Sequence, residues 1–219
     1  SAVFSPDGLL VLTASEDGSA RLWKRYGRSG QVSCFRNLGC GDVLWSAAFS
    51  PDGSQVLSAS RDCSARLWSV ATGTCRQSFA GHKGSVLSAS VAPDGATVLT
   101  ASSDCTARLW EVSAGACLHC FAGHKSSVSW AAFSADGSSV LTSSADHTAK
   151  LWNRSGECLQ SFAGEQVSVW WAAFCIHDCS AVLTGSEDGR AGIWSAESQE
   201  CLQSFAGHSG AVLWATLSP

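Results

Sequence analysis

Five tryptophans, Trp23, Trp68, Trp110, Trp152 and Trp194, recur at spacings of 45, 42, 42 and 42 residues. Each ends a similar phrase: Ala-Arg-Leu-Trp three times, then Ala-Lys-Leu-Trp and Ala-Gly-Ile-Trp. An aspartate stands six residues before every one, at Asp17, Asp62, Asp104, Asp146 and Asp188. A fixed period of this length means one supersecondary unit repeated along the chain, so the repeat must be read before any local structure. Within the third period Val86–Val91, Thr97–Ser102, Thr106–Trp110 and Cys117–Phe121 are short β-rich runs divided by turn signals such as Ala-Pro-Asp-Gly at 92–95. No segment carries helical periodicity over ten residues.

Four short strands joined by hairpins make one antiparallel sheet, which cannot bury both faces alone. A series of such sheets can, by stacking face to face about an axis. The expected fold is therefore all-β, a β-propeller of about five four-stranded blades forming one domain over 1–219. Its units run over about 1–41, 42–82, 83–124, 125–165 and 166–208, with a partial unit at 209–219. Ser1–Pro6 aligns in phase with Trp214–Pro219, and the chain contains no methionine. Two arrangements remain open: a ring closed at five blades by the overlap, or an open arc cut as a window from a longer array. The second is the expected one.

Composition narrows the function classes. The chain is 45% hydrophobic and 15% charged, enough apolar material for a large core. A formal net charge of −4 gives no basis for a nucleic-acid or anionic-membrane surface. No apolar run reaches the ~18–20 residues of a spanning helix, and the N-terminus lacks a signal-peptide pattern. Eleven cysteines without such a signal read as free thiols in a reducing compartment, hence a cytoplasmic or nuclear location.

The phrase Phe-Ala-Gly-His at 79–82 and 121–124, the turn aspartates and the strand-ending tryptophans together resemble the WD-repeat family across essentially the whole chain. The residue after each tryptophan (Lys24, Ser69, Glu111, Asn153, Ser195) is never the family's aspartate. The resemblance implies a hydrogen-bonded network inside each blade, joining a histidine, a strand hydroxyl, the turn aspartate and the indole. Its members would be His82, Thr100 or Ser102, Asp104 and Trp110 in the third unit. In the fourth they would be His124, Thr142 or Ser144, Asp146 and Trp152. The first, second and fifth units supply Asp17 and Trp23, Asp62 and Trp68, and Asp188 and Trp194. Glu165 stands where the fifth unit's histidine is expected, and Gly41 or Asp42 lies near that place in the second. Such a network is structural, since a catalytic triad occurs once, in a cleft, and not in every blade.

Partners of this family usually sit on the face carrying the turns after the second strand, where Glu16, Arg61, Ser103, Ala145 and Glu187 vary. Five further tryptophans, Trp45, Trp130, Trp170, Trp171 and Trp214, fall outside the strand-ending column, and four of them lie at or near one place on the innermost strand of their units. They read either as an aromatic collar at the central opening or as space-fillers beside small alanines. The expected function is a non-catalytic scaffold for proteins or peptides, with no cofactor, metal or small-molecule substrate. The near-identical repeats also resemble WD arrays attached to NACHT-type nucleotide-binding signalling proteins, which makes a sensor region the alternative. A metal-dependent hydrolase built on Cys175-Ile176-His177-Asp178-Cys179 is the third and weakest reading, for no second ligand pair accompanies that loop.

Overall fold

The structure, a computed structural model, describes residues 1–26, 31–163, 167–175 and 180–215. They form twenty strands in five four-stranded sheets. The first sheet holds β1 (Ala2–Phe4), β2 (Leu10–Ala14), β3 (Ser19–Tyr26) and β4 (Gln31–Gly39). The second holds β5 (Leu44–Phe49), β6 (Gln55–Ser60), β7 (Ser64–Ser69) and β8 (Cys75–Ala80). The third comprises β9 (Val86–Val91), β10 (Thr97–Ser102), β11 (Thr106–Glu111) and β12 (Cys117–Ala122). The fourth comprises β13 (Val128–Phe133), β14 (Ser139–Ser144), β15 (Thr148–Asn153) and β16 (Cys158–Ala163). The fifth comprises β17 (Val169–Phe174), β18 (Ala181–Ser186), β19 (Arg190–Ser195) and β20 (Cys201–Ala206). Strand order follows chain order in every sheet, as consecutive antiparallel hairpins require. Among the described residues no helix is long and apolar enough to cross a membrane.

The longer first period has a local cause. Trp23 and Cys34 are eleven residues apart against seven for Trp68 and Cys75, and β3 and β4 use the excess for extra rungs at Lys24–Ser33, Arg25–Val32 and Tyr26–Gln31. The third strands otherwise end alike. The register slips by one residue at the tryptophan, leaving Trp23 opposite Cys34, Trp68 opposite Cys75, Trp152 opposite Cys158 and Trp194 opposite Cys201.

Contacts divide the chain into two compact units, Ser1–Thr100 with Leu109–Leu118, and Ala101–Arg108 with His119–Pro219. In the first unit Leu12, Ala20, Leu22 and Leu38 pack on Leu44, Ala47, Val56 and Trp68 of the second sheet. The opposite face of that sheet, Leu57, Ala59, Ala65, Leu67 and Phe79, packs on Val86, Ala89, Val98 and Trp110. Neighbouring strand residues point to opposite faces, and here both faces are covered. That is why Val56 and Leu57, successive in sequence, are both fully buried. The second unit repeats the arrangement, with Leu141, Ala149, Leu151 and Phe162 against Val169, Ala172 and Val182. Burying a phenylalanine of this kind stabilises by roughly 1.5–3 kcal/mol. Phe79, Phe121 and Phe162 are at most 1% exposed, whereas the equivalent Phe205 on β20 is 46% exposed.

Candidate functional site

Each sheet carries a polar cluster on the face that holds its tryptophan, and the fourth sheet shows it most fully. The Trp152 indole N–H donates to Thr142 Oγ1 at 2.9 Å. That hydroxyl lies 2.7 Å from His124 Nε2, and His124 Nδ1 lies 2.9 Å from Asp146 Oδ2. Burial is the largest influence on His124 and holds its pKa below the usual histidine value, in spite of the aspartate. A neutral ring fixes the direction of every bond. Nδ1–H donates to Asp146, Nε2 accepts the Thr142 O–H, and Thr142 accepts the indole N–H. The Asp146 carboxylate also accepts the Lys125 N–H at 2.8 Å and the Thr148 hydroxyl at 2.6 Å. Burial pushes its carboxyl up, but these bonds and that from His124 outweigh it and hold the pKa at about 2.

The third sheet follows the same plan, with Thr100 Oγ1 2.8 Å from both His82 Nε2 and Trp110 Nε1. Asp104 accepts the backbone N–H and hydroxyl of Thr106 at 3.0 and 2.6 Å. Between the alternative hydroxyls, then, Thr100 and Thr142 meet the indoles. Ser102 and Ser144 turn instead to the backbone N–H of Asp104 and Asp146 at 3.1 and 3.0 Å.

The remaining sheets keep the indole–hydroxyl bond and vary its surroundings. Trp23 donates to Thr13 at 2.8 Å, Trp68 to Ser58 at 2.9 Å and Trp194 to Thr184 at 2.8 Å. Asp17 pairs with Arg21 at 3.0 Å and Asp62 with Arg66 at 2.6 Å. In the second sheet it is neither Gly41 nor Asp42 that approaches the hydroxyl but Cys40, buried, with Sγ 3.5 Å from Ser58 Oγ. Burial raises the pKa of that thiol. Asp42 turns outward to Arg61, 2.7 Å away. In the fifth sheet Asp188 meets Ser186 Oγ at 2.9 Å and Arg190 Nε at 3.5 Å. Glu165 lies outside the described residues.

The first-strand tryptophans do not form one column. A β-bulge interrupts the pairing of β5 with β6 and of β17 with β18, and Trp45 and Trp170 are the residues it leaves unpaired. Trp130 and Trp171 stand one place further on, paired with Ser143 and Gly185. A bulge residue and its successor point differently. Trp45 and Trp170 are 44% and 38% exposed, while Trp171 is buried. Trp45 therefore lies one position before the places that Trp130 and Trp171 hold. In the second unit Trp214 joins the latter pair, its ring centroid 5.3 Å from Trp130 and 5.5 Å from Trp171. Trp214 is 57% exposed, and the buried Trp171 Nε1 has no hydrogen-bond partner.

Of the variable turn positions, Glu16, Arg61 and Glu187 are exposed and Ser103 and Ala145 half-buried. None of the ten described cysteines is in a disulfide. Ile176–Cys179, most of the loop considered as a metal ligand set, lies outside the described residues. Among the described residues no three His, Cys, Asp or Glu side chains are gathered as a metal site would need.

The family model described as WD domain, G-beta repeat matches the chain five times, over residues 1–24, 32–69, 73–111, 115–153 and 156–195. No curated protein matches it. After the first, each match begins at or beside the outermost strand of one sheet and ends at the third strand of the next. With most of its length covered by five in-phase matches, and with the indole–hydroxyl bond present in every sheet, the chain belongs to the WD-repeat family.

Proposed function

We propose that this chain is a non-catalytic scaffold that binds peptides or protein domains, with Trp214 and the tryptophans it packs on as the anchoring surface. WD repeats generally build protein-interaction scaffolds. The observation that carries the reading here is the cluster of Trp130, Trp171 and Trp214, in which a 57% exposed indole rests on a buried one. Tryptophan presents a large rigid apolar area together with one N–H donor, and it is over-represented at binding hot spots. The variable turn residues Glu16, Arg61, Ser103, Ala145 and Glu187 would select among partners, because framework positions are occupied by packing and these are not.

The repeated histidine–threonine–aspartate groups do not suit catalysis. The side chains of His124 and Asp146 are 1% and 7% exposed, and they bond each other and, through Thr142, hold the blade's own Trp152. The absence of a disulfide among the described cysteines fits a reducing compartment, cytoplasm or nucleus, and the net charge of −4 fits partners that are not nucleic acids.

Selection of a displayed random-peptide library on the whole chain tests the scaffold reading. Enriched peptides should quench or shift indole fluorescence saturably, and Trp214→Ala should weaken them at least tenfold, about 1.4 kcal/mol. Enrichment of nothing, or peptides indifferent to Trp214→Ala and to Glu187→Lys alike, would sink it.

A further inference from the structure

We propose that the outermost strands of the first two sheets form a docking surface for an acidic peptide segment, held by Lys24, Arg36 and Arg76. All three lie in one compact unit. From Gly18 to Gly41 the sequence holds five lysines and arginines and neither aspartate nor glutamate, in a chain whose net charge is −4.

Strand register gathers these cations. The slip that leaves Trp23 opposite Cys34 sets Leu22 opposite Arg36, so Phe35 has no partner across the ladder. A bulge of this kind re-aims its extra residue. Lys24 Nζ lies 5.9 Å and Arg36 Cζ 4.2 Å from the centre of the Phe35 ring. The two positive charges thus stand within about 10 Å of each other against one ring, and like charges so placed repel until an anion joins them. The Arg36 fork donates to the carbonyls of Phe35 and Ala71 at 3.1 and 2.6 Å, which hold the charge without cancelling it. Its second bond reaches the second sheet, whose turn comes so close that a Cβ on Gly73 would meet Arg36 Cδ at 3.1 Å. Soon after that turn, Arg76 is the exposed bulge residue of β8. Leu159 and Leu202 hold the same place on β16 and β20, where the edge is apolar. Carboxylates in the first turns of the two sheets are engaged within those turns. Asp7 accepts the Ser5 hydroxyl, and Asp52 accepts those of Ser50 and Ser54.

An extended acidic chain suits this edge. β4 is an outermost strand of nine residues, against six in β8, and an outermost strand offers unpaired backbone N–H and C=O groups along its free side. Carboxylates spaced along a peptide meet separate positive charges while its backbone meets that side. A nucleic acid calls for a denser array of cations, and the net negative charge of the chain repels a long polyanion. Positive charge on an edge also repels a second copy of the same edge. It therefore selects an acidic strand over self-pairing.

The test is fluorescence anisotropy of a blocked peptide alternating glutamate and threonine, labelled with an uncharged dye and titrated with the whole chain. A saturable rise at 10 mM salt is expected, weakened at least about fivefold at 100 mM as the screening length falls from about 30 to about 10 Å. The glutamine–threonine analogue should not bind. Lys24→Glu and Arg76→Glu, both at exposed positions, should each weaken binding at least about fivefold with the melting temperature unchanged. Lys125→Glu, in the other unit, alters net charge equally and should leave the affinity within about twofold. No saturable binding, a salt-insensitive affinity, equal binding of the glutamine peptide or equal loss in Lys125→Glu overturns the proposal. So does tighter binding of an oligothymidylate of matched charge. Trp214→Ala should leave this affinity unchanged, which separates the edge from the tryptophan surface; a loss there assigns the peptide to Trp214 and overturns the proposal as well.

Discussion

Thr142 holds two buried rings at once, and that is the most consequential assignment a single side chain makes in this chain. Its replacement by valine keeps the shape but strands the Trp152 indole N–H and the His124 ring nitrogen. The expected cost is about 2–6 kcal/mol, since each of the two buried groups left without a partner costs roughly 1–3 kcal/mol. Among the described residues Thr184→Val strands only the indole of Trp194, and it should cost about 1–3 kcal/mol. Urea denaturation of the two variants checks the difference, and equal losses would show that the histidine bond adds nothing. The same cluster sets the acid response. The His124 pKa is lowered in the fold, so below the ordinary value of 6.5 the unfolded chain takes up the proton first. Its stability contribution is complete above 6.5 and is lost as pH falls through that value towards the folded pKa. Asp146 follows lower down, its contribution present above 3.8 and lost towards about 2. The urea midpoint should therefore drop between pH 8 and pH 5, and His124→Gln should flatten that slope while lowering the whole curve.

The turn between the second and third strands isolates a smaller effect at the level of one hairpin. Its third residue is left-handed in every case where it follows the turn aspartate: Gly18 and Gly189 at φ 80° and 83°, but Cys63, Cys105 and His147 at φ 69°, 69° and 73°. An L side chain in that region carries a steric penalty that glycine escapes. His147→Gly should raise stability by about 1 kcal/mol, read as an upward shift in melting temperature without loss of the Asp146 interactions. These hairpins also show where sequence is informative. The tryptophans, turn aspartates and histidines were legible because buried polar groups need partners and so recur in phase. Which hydroxyl serves them was not, because Thr142 and Ser144 lie on the same face two residues apart. Cys40 escaped notice because a thiol counts as apolar in a hydrophobic pattern, and it sits one residue before the positions that spacing indicated. The bulges were invisible for a related reason. A one-residue insertion leaves composition unchanged, yet it leaves Trp45 and Trp170 unpaired while Trp130 and Trp171, each just after the bulge, stay in the ladder.

Within each compact unit the described cores are local, each made between one sheet and its neighbour. Nearest-neighbour coupling of this kind predicts that damage stays near its source. In Thr142→Val, amide hydrogen exchange should quicken over 128–163 and in the adjoining β17–β20. It should stay unchanged over β1–β3; uniform acceleration would mean a single cooperative block. The offset between family repeat and sheet bears on how such a chain can change. The segment that the family repeat spans, roughly an outermost strand followed by three strands of the next sheet, is not the folded one. Removing or inserting one such segment exchanges outer strands between near-identical neighbours and regenerates the same junction wherever it falls. Copy number can then drift by whole sheets through misaligned recombination, with every surviving sheet still receiving its fourth strand from the segment that follows.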